Sequence, residues 1–403
     1  MTGVISAHGL DVGYDKKTVV SGVEINALKG QVICLIGPNG SGKSTILRTL
    51  AGMLAPIGGT VYIGGNDIRS IKPNDLAKQM AVVLTESLNV NMTSAYEIAS
   101  MGRIPYTGFF GRLNADDHRI VRECMQIVGA AELAERDFSS LSDGEKQKIL
   151  IARALAQEPE LIILDEPTSH LDIKHKVEIL RILNRLSAIN GVTVILALHD
   201  LDIAVKNCQF VLLIKDGKVE AQGRPEDIIG KDTIGDLYGI EGAVFNSVMG
   251  SLEICNDKAP EVFVVSGAGT GTPVFRLLSR MGYGIATGVL HENDIDCFIA
   301  ESMKLTVISE RSFEPVSEAS RSAARAYMRN AAFVVDTNFP VGAYNRCNIE
   351  MLNSAAGLKP VFSMRSPEEI ERLYGKESKV IGVTSAGQLQ ERIEKYNNSG
   401  ALL

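Results

Sequence analysis

The stretch GPNGSGKST at 37 to 45 sets three glycines, a lysine and three hydroxyls at spacings suited to holding a polyphosphate. Gly37, Gly42, Lys43 and Ser44 fall in the register G-x-x-x-x-G-K-[ST], directly after the apolar run QVICLI. Glycines let successive loop N–H groups wrap phosphate oxygens, the lysine reaches the terminal phosphates, and the hydroxyl is placed to ligate Mg²⁺. The chain is therefore expected to bind a nucleoside triphosphate through Gly37, Asn39, Gly40, Ser41, Gly42, Lys43, Ser44 and Thr45. Hydrolysis needs a carboxylate for the metal and a group that orients water, both best supplied from the end of a neighbouring apolar strand. LIILDEP offers Asp165 for the first role and Glu166 for the second, and VTVILAL ends at His199, within reach of a γ-phosphate.

LSDGEKQ at 141 to 147 admits two uses. Ser142 and Glu145 form a capping box ahead of the apolar run Ile149, Leu150, Ile151. The same helix N-terminus also presents free N–H groups and a positive dipole end to an anion.

These residues require an α/β scaffold to position them. Residues 4 to 65 read as strand-rich around one helix that follows the glycine loop, and 94 to 157 read as helical, with 115 to 129 amphipathic. Continuous apolar strands at 161 to 165, 192 to 198 and 210 to 214 alternate with helices, which indicates a parallel sheet covered on both faces. After a hairpin or linker at 241 to 260, the rhythm restarts with strands at 262 to 266, 285 to 289, 305 to 309, 333 to 336, 360 to 364 and 379 to 383. That pattern describes a second, doubly wound α/β domain over 261 to 403.

At 403 residues the chain can bury two or three cores. Its net charge of -7 gives no broad basic field, so nucleic acid is not an expected partner. Six scattered cysteines without a C-x-x-C pair argue against a zinc site or a disulfide framework. No apolar run approaches the ~18 residues of a spanning helix, and a soluble, intracellular protein is expected.

The P-loop, LSDGEKQ, LIILDEP, SHLD at 169 to 172 and His199 together resemble, in order and spacing, the ATPase subunits of ABC transporters over residues 3 to 240. The resemblance implies an ABC ATPase domain over 1 to 240, with a parallel core sheet, an antiparallel β attachment and a helical lobe. It implies that Ser142, Gly144 and Glu145 serve a signature motif facing the ATP of a second copy in a homodimer. Asp143 and Glu145 depart from that motif's usual Gly and Gln. It further implies that Tyr14 stacks on adenine and that Asp172 communicates between the two sites. Glu86, beside Thr85, stands where the family has a magnesium-sensing glutamine. MGRIPYTGFFGRL, DEPTSHLDIKHKVEIL and HDLDIA are similar to the importers of iron siderophores, haem and cobalamin, and SGAGTGTPV resembles the long archaeal cobalamin-import form. The expected protein is then a membrane-associated ATPase at the cytoplasmic face. It would work beneath two membrane-spanning permease subunits and, indirectly, a substrate-binding protein. A soluble ATP-driven regulator is the alternative from another class.

The turn Gly267, Gly269, Gly271 before a helix is a candidate phosphate or nucleotide site. His291, Glu292, Asp294, Glu310 and Asp336 are the polar groups expected at strand ends beside it, and a domain that regulates or supports a dimer without a ligand is the alternative.

Overall fold

The computed structural model describes residues 3–84, 92–108, 111–230, 233–239, 242–246, 249–376 and 379–399. It divides into two compact units, Met1–Tyr238 and Gly239–Leu403.

In the first unit, strands β1 (Ile5–Tyr14), β2 (Lys17–Ala27), β3 (Val32–Ile36), β4 (Gly58–Ile63), β5 (Asn66–Asp67), β6 (Met80–Val83), β7 (Leu161–Asp165), β8 (Thr193–Leu198), β9 (Phe210–Lys215) and β10 (Lys218–Gly223) form one sheet. Their order is β5-β4-β1-β2-β10-β9-β3-β8-β7-β6. The β9, β3, β8, β7 and β6 segment is parallel, whereas β1 pairs antiparallel with β2 and β4. Every residue of β3, β7 and β8 is buried, as apolar strands covered on both faces must be. The Lys43–Leu50 helix supplies part of that cover through Ile46, Leu47 and Leu50, which share one core with Leu35, Ile163 and Ile195. Asp15 and Lys16 both take left-handed backbone in the two-residue β1–β2 turn, the conformation that matches strand twist in a tight hairpin.

A helical lobe enters between β6 and β7. Its helices Ala95–Ser100, Ala115–Ile127 and Asp143–Leu155 each begin with a capping box, from Ser94/Glu97, Asn114/Asp117 and Ser142/Glu145. Arg103 is buried at the lobe's centre and joins three segments, donating to Asp117 Oδ1 at 2.9 Å, to the Ala156 carbonyl at 2.8 Å and to Glu158 Oε2 at 2.7 Å. Tyr106 lies under its guanidinium, 4.0 Å from the ring centroid. A buried charge is retained only with such partners.

The second unit begins with the hairpin β11 (Ala243–Asn246) and β12 (Ser251–Ile254). Rather than a free linker, this hairpin is part of the unit: Asn246 Nδ2 donates to Ser302 Oγ at 2.9 Å, and buried Glu253 pairs with Arg276. Six parallel strands follow: β13 (Val262–Val265), β14 (Ile285–His291), β15 (Thr306–Glu310), β16 (Val334–Asp336), β17 (Val361–Ser363) and β18 (Val380–Gly382). Their order is β15-β14-β13-β16-β17-β18, so the chain reverses direction across the sheet at β13. Alternate residues of β13 enter different cores. Val262 and Val264 pack with Phe275 and Leu278, while Phe263 and Val265 pack with Met351 and Leu352. This is the doubly wound arrangement expected from the unbroken apolar strands. No described helix is long and apolar enough to cross a membrane.

Candidate functional site

Three adjacent strand ends assemble the first unit's site. In register, Ile36 at the end of β3 lies beside Leu198 of β8, and Ala197 lies beside Asp165 of β7. The loop after β3, His199 after β8 and Glu166 after β7 therefore emerge side by side, where parallel sheets place ligands.

Two glycines of the loop have no substitute. Gly42 caps the Lys43–Leu50 helix at φ 101°, and a Cβ there would meet Val20. A Cβ on Gly37 would meet the Ile214 carbonyl. Lys43 donates to the Gly37 carbonyl at 2.8 Å and the Pro38 carbonyl at 2.9 Å, which holds its ammonium within the loop. Burial pushes the lysine's pKa down against the opposing pull of Glu166 and Asp165. Ser44 Oγ donates to Asp165 Oδ1 at 3.0 Å, and burial pushes the Asp165 carboxyl up despite that bond. A hydroxyl and a carboxylate in contact form the hard-oxygen pair that suits Mg²⁺.

Glu166 sits in left-handed backbone at φ 50°, a conformation uncommon for a non-glycine residue and found disproportionately at functional sites. Its carboxylate accepts from Ser169 Oγ at 2.9 Å through Oε2 and faces His199 Nε2 through Oε1. Ser169 was not singled out in the sequence; its place three residues after Glu166, in the TSHLD turn, is the only available signal. Tyr14 ends β1 half exposed, 47% accessible.

Ser142 and Glu145 make the reciprocal bonds of the capping box, with the Ser142 N–H donating to Glu145 Oε2 at 2.8 Å and the Glu145 N–H donating to Ser142 Oγ at 3.4 Å. The first of these bonds chiefly holds the Glu145 carboxyl below its ordinary range. Gly144 is buried against His175, whose ring a Cβ would strike, while Asp143 is exposed and so directed to solvent. His175 also donates from Nδ1 to Asp172 Oδ1 at 2.8 Å, and the Asp172 carboxylate caps the Ile173–Asn190 helix. The sequence reading missed His175, which links the Asp172 turn to the start of the signature helix. Glu86 and Thr85 lie outside the described residues.

In the second unit, the groups expected to face a ligand are mostly engaged internally. The Gly271 and Thr272 N–H groups donate to the buried Asp296 carboxylate at 2.8 and 2.9 Å, and the Ala268 N–H donates to Asp294 at 2.9 Å. Three N–H groups of this turn are thus held by the protein's own carboxylates, which compete with a phosphate for those donors. Asp336 is fully buried and accepts from Arg365 Nε at 2.7 Å, Ser363 Oγ at 2.8 Å and the Tyr374 hydroxyl at 2.7 Å. Glu310 caps the Glu318–Asn330 segment, accepting the Ser317 N–H at 2.8 Å and the Ser320 hydroxyl at 3.0 Å.

The Ser317 N–H, then the two serine hydroxyls, hold Glu310 at about 2. A carboxylate whose pKa falls on folding stabilises above its unfolded value and loses that contribution as pH drops toward the folded one. Glu310→Gln is accordingly expected to lower the urea midpoint of the second unit at pH 7. The gap to the parent should close as pH falls from roughly 4.3 to about 2. A gap that is constant across that range would remove the capping role.

Comparison with known proteins gives the site its context. An ABC transporter family model matches residues 20–169, and a model of the MJ0874 family matches 285–402. The ABC transporter ATP-binding protein MJ0873 of Methanocaldococcus jannaschii is 43% identical over 289 residues, which is 71% of this chain and 100% of that protein. This chain belongs to the ABC transporter ATP-binding proteins. It binds ATP and is an ABC-type ATPase. Two further relatives extend the match differently. The iron(3+)-hydroxamate import ATP-binding protein FhuC of Bacillus subtilis is 36% identical over 62% of this chain and 93% of its own. The cobalamin import ATP-binding protein BtuD of Halobacterium salinarum is 30% identical over 94% of this chain and 97% of its own. The ABC transporter family model thus falls within the first unit, and the BtuD match extends through both units.

Proposed function

We propose that this protein is the ATP-hydrolysing subunit of an importer of metal chelates, with cobalamin or another corrinoid as cargo. The single observation that carries the cargo assignment is the extent of the BtuD match. A relative named for cobalamin import is similar across 94% of the chain, both units included. A ferric siderophore or haem is the second reading, favoured by the higher identity to FhuC over 62% of the chain.

In this reading Gly37 to Thr45 enclose the ATP phosphates and Tyr14 stacks on the adenine. Ser44 and Asp165 would hold Mg²⁺, which would neutralise developing phosphate charge when bound. Glu166 accepts a proton from the attacking water and His199 orients it, while Ser169 fixes the second carboxylate oxygen of Glu166. Ser142, Gly144 and Glu145 face the ATP of a second copy, Asp172 connects the two sites, and Glu86 monitors the metal. The homodimer works at the cytoplasmic face against two membrane-spanning permease subunits, fed by a substrate-binding protein.

Tyr14→Ala is expected to weaken ATP binding by about tenfold, since one base–aromatic stack contributes roughly 1–3 kcal/mol. Titration with a fluorescent ATP analogue measures this, and unaltered affinity would exclude the stack. The membrane assignment is tested by affinity purification from mild-detergent extracts of native cells. Recovery of a polytopic membrane protein in fixed ratio supports it, and consistent recovery of the protein without one favours a soluble regulator.

A further inference from the structure

The loops after β14, β15 and β16 converge at the carboxyl edge of the second sheet on a cavity of about 390 Å³, within the size range of small-molecule sites. The position is at the carboxyl ends of parallel strands, the edge at which open α/β sheets place ligands. Three aromatic rings line it, from His291, Phe313 and Tyr344. The His291 and Tyr344 rings meet edge to face, with centroids 6.4 Å apart and planes at 83°. Phe313 is 78% accessible and Tyr344 54%. Phe313 also sits at φ 65°, a backbone region that bulky residues rarely adopt.

The charge of the lining is one-sided. Among the described residues that line the cavity none is lysine or arginine, and Asp294 is a carboxylate. Its Oδ1 accepts from the Ala268 and Asp296 N–H groups at 3.1 and 2.8 Å, whereas Oδ2 takes only the shared Ala268 N–H at 2.9 Å and retains acceptor capacity. Two other polar groups of the lining are engaged within the protein. Asn345 donates to the Pro340 carbonyl and accepts from the Gly342 N–H, and His291 Nε2 donates to the Glu314 carbonyl. In the adjacent turn the Ala268, Gly271 and Thr272 N–H groups donate to Asp294 and Asp296. Aromatic faces with a nearby carboxylate, and no lysine or arginine among the described lining residues, favour positive charge over an anion.

We propose that this cavity is a second small-molecule site, additional to the ATP site, and that its ligand is a small organic cation with apolar substituents, such as an alkylated ammonium. The assignment stands on the second unit alone and does not depend on the cargo.

The test is ligand-observed NMR titration of the full chain with three probes of matched shape: benzyltrimethylammonium, benzyl alcohol and benzylphosphonate. The cation is expected to bind with a dissociation constant of about 1 mM or tighter, within the affinity open to a probe of this size. The neutral probe should bind at least about tenfold more weakly, as loss of a cation–π contact implies, and the phosphonate should not bind. Phe313→Ala and Tyr344→Ala should each weaken the cation several-fold while leaving ATP turnover at the parent rate. Because Phe313 is mostly exposed, its removal leaves the core intact. Equal or stronger binding of the neutral or anionic probe would overturn the ligand class. Absence of cation binding, or binding unchanged in both variants, would overturn the site.

Discussion

Glu166→Gln is expected to slow steady-state ATP turnover by about 10²–10⁴-fold, the range that removal of a positioned proton acceptor produces. ATP affinity should stay within a few-fold of the parent. The substitution keeps shape and can still accept from Ser169, which lies 2.9 Å from Oε2. It replaces the carboxylate that faces His199 with an amide, which cannot take a proton from water. Lys43, Ser44 and Asp165 are untouched, so the groups enclosing the phosphates remain. The expected consequence is a chain that binds ATP and retains it. Steady-state kinetics paired with equilibrium ATP binding checks both halves. Turnover near the parent rate would show that Glu166 is not the acceptor, and loss of binding alongside turnover would show a structural role.

The second large effect lies in the other unit. Arg365→Leu is expected to lower the stability of the second unit by about 3–5 kcal/mol, because it leaves a buried carboxylate without its cation. Asp336 is fully buried, and Arg365 is 5% exposed. Arg365 donates to Asp336 Oδ2, to Asn338 Oδ1 at 3.1 Å and to the Phe339 carbonyl at 2.9 Å, so its removal strips three acceptors at once. Tyr374 remains a donor throughout, since burial and the adjacent Asp336 push its phenol well above the ordinary value. Hydrogen exchange at Val334 and Val335 in the centre of the sheet reads the opening free energy directly. Replacing Asp336 with Asn in the Arg365→Leu background should recover part of the loss. A cost below about 1 kcal/mol would mean that water reaches the pair and screens it, as at a surface.

The contrast between Glu166 and Asp336 explains what could be read from the sequence. The P-loop, the strand LIILD and the capping box are local patterns, whose spacing alone sets their geometry, and the structure reproduces all three. The six strands of the second unit were equally legible, because unbroken apolar runs permit only a sheet covered on both sides. At Asp336 and Glu310 the strand-end polarity was misleading for a physical reason. A carboxylate at a strand end is equally suited to a ligand or to an internal partner, and the partner of Asp336 stands 29 positions away on another strand's loop. Glu310 was hidden by a nearer partner, the start of the following helix. Arg103 carried a faint signal as a lone cation between apolar residues, but its acceptors Asp117 and Glu158 come from two distant segments. Phe313 and Tyr344 sit in loops without periodicity, so only the fold could bring them to one cavity.

The most direct test of the central claim is ATP hydrolysis by the chain reconstituted in lipid with its membrane subunits and binding protein, with cobalamin and a ferric siderophore supplied in turn. Turnover is expected to rise with cobalamin and not with the siderophore. Stimulation by the siderophore alone would preserve the importer and contradict the cargo, and turnover indifferent to both would contradict the assignment to this class of importer.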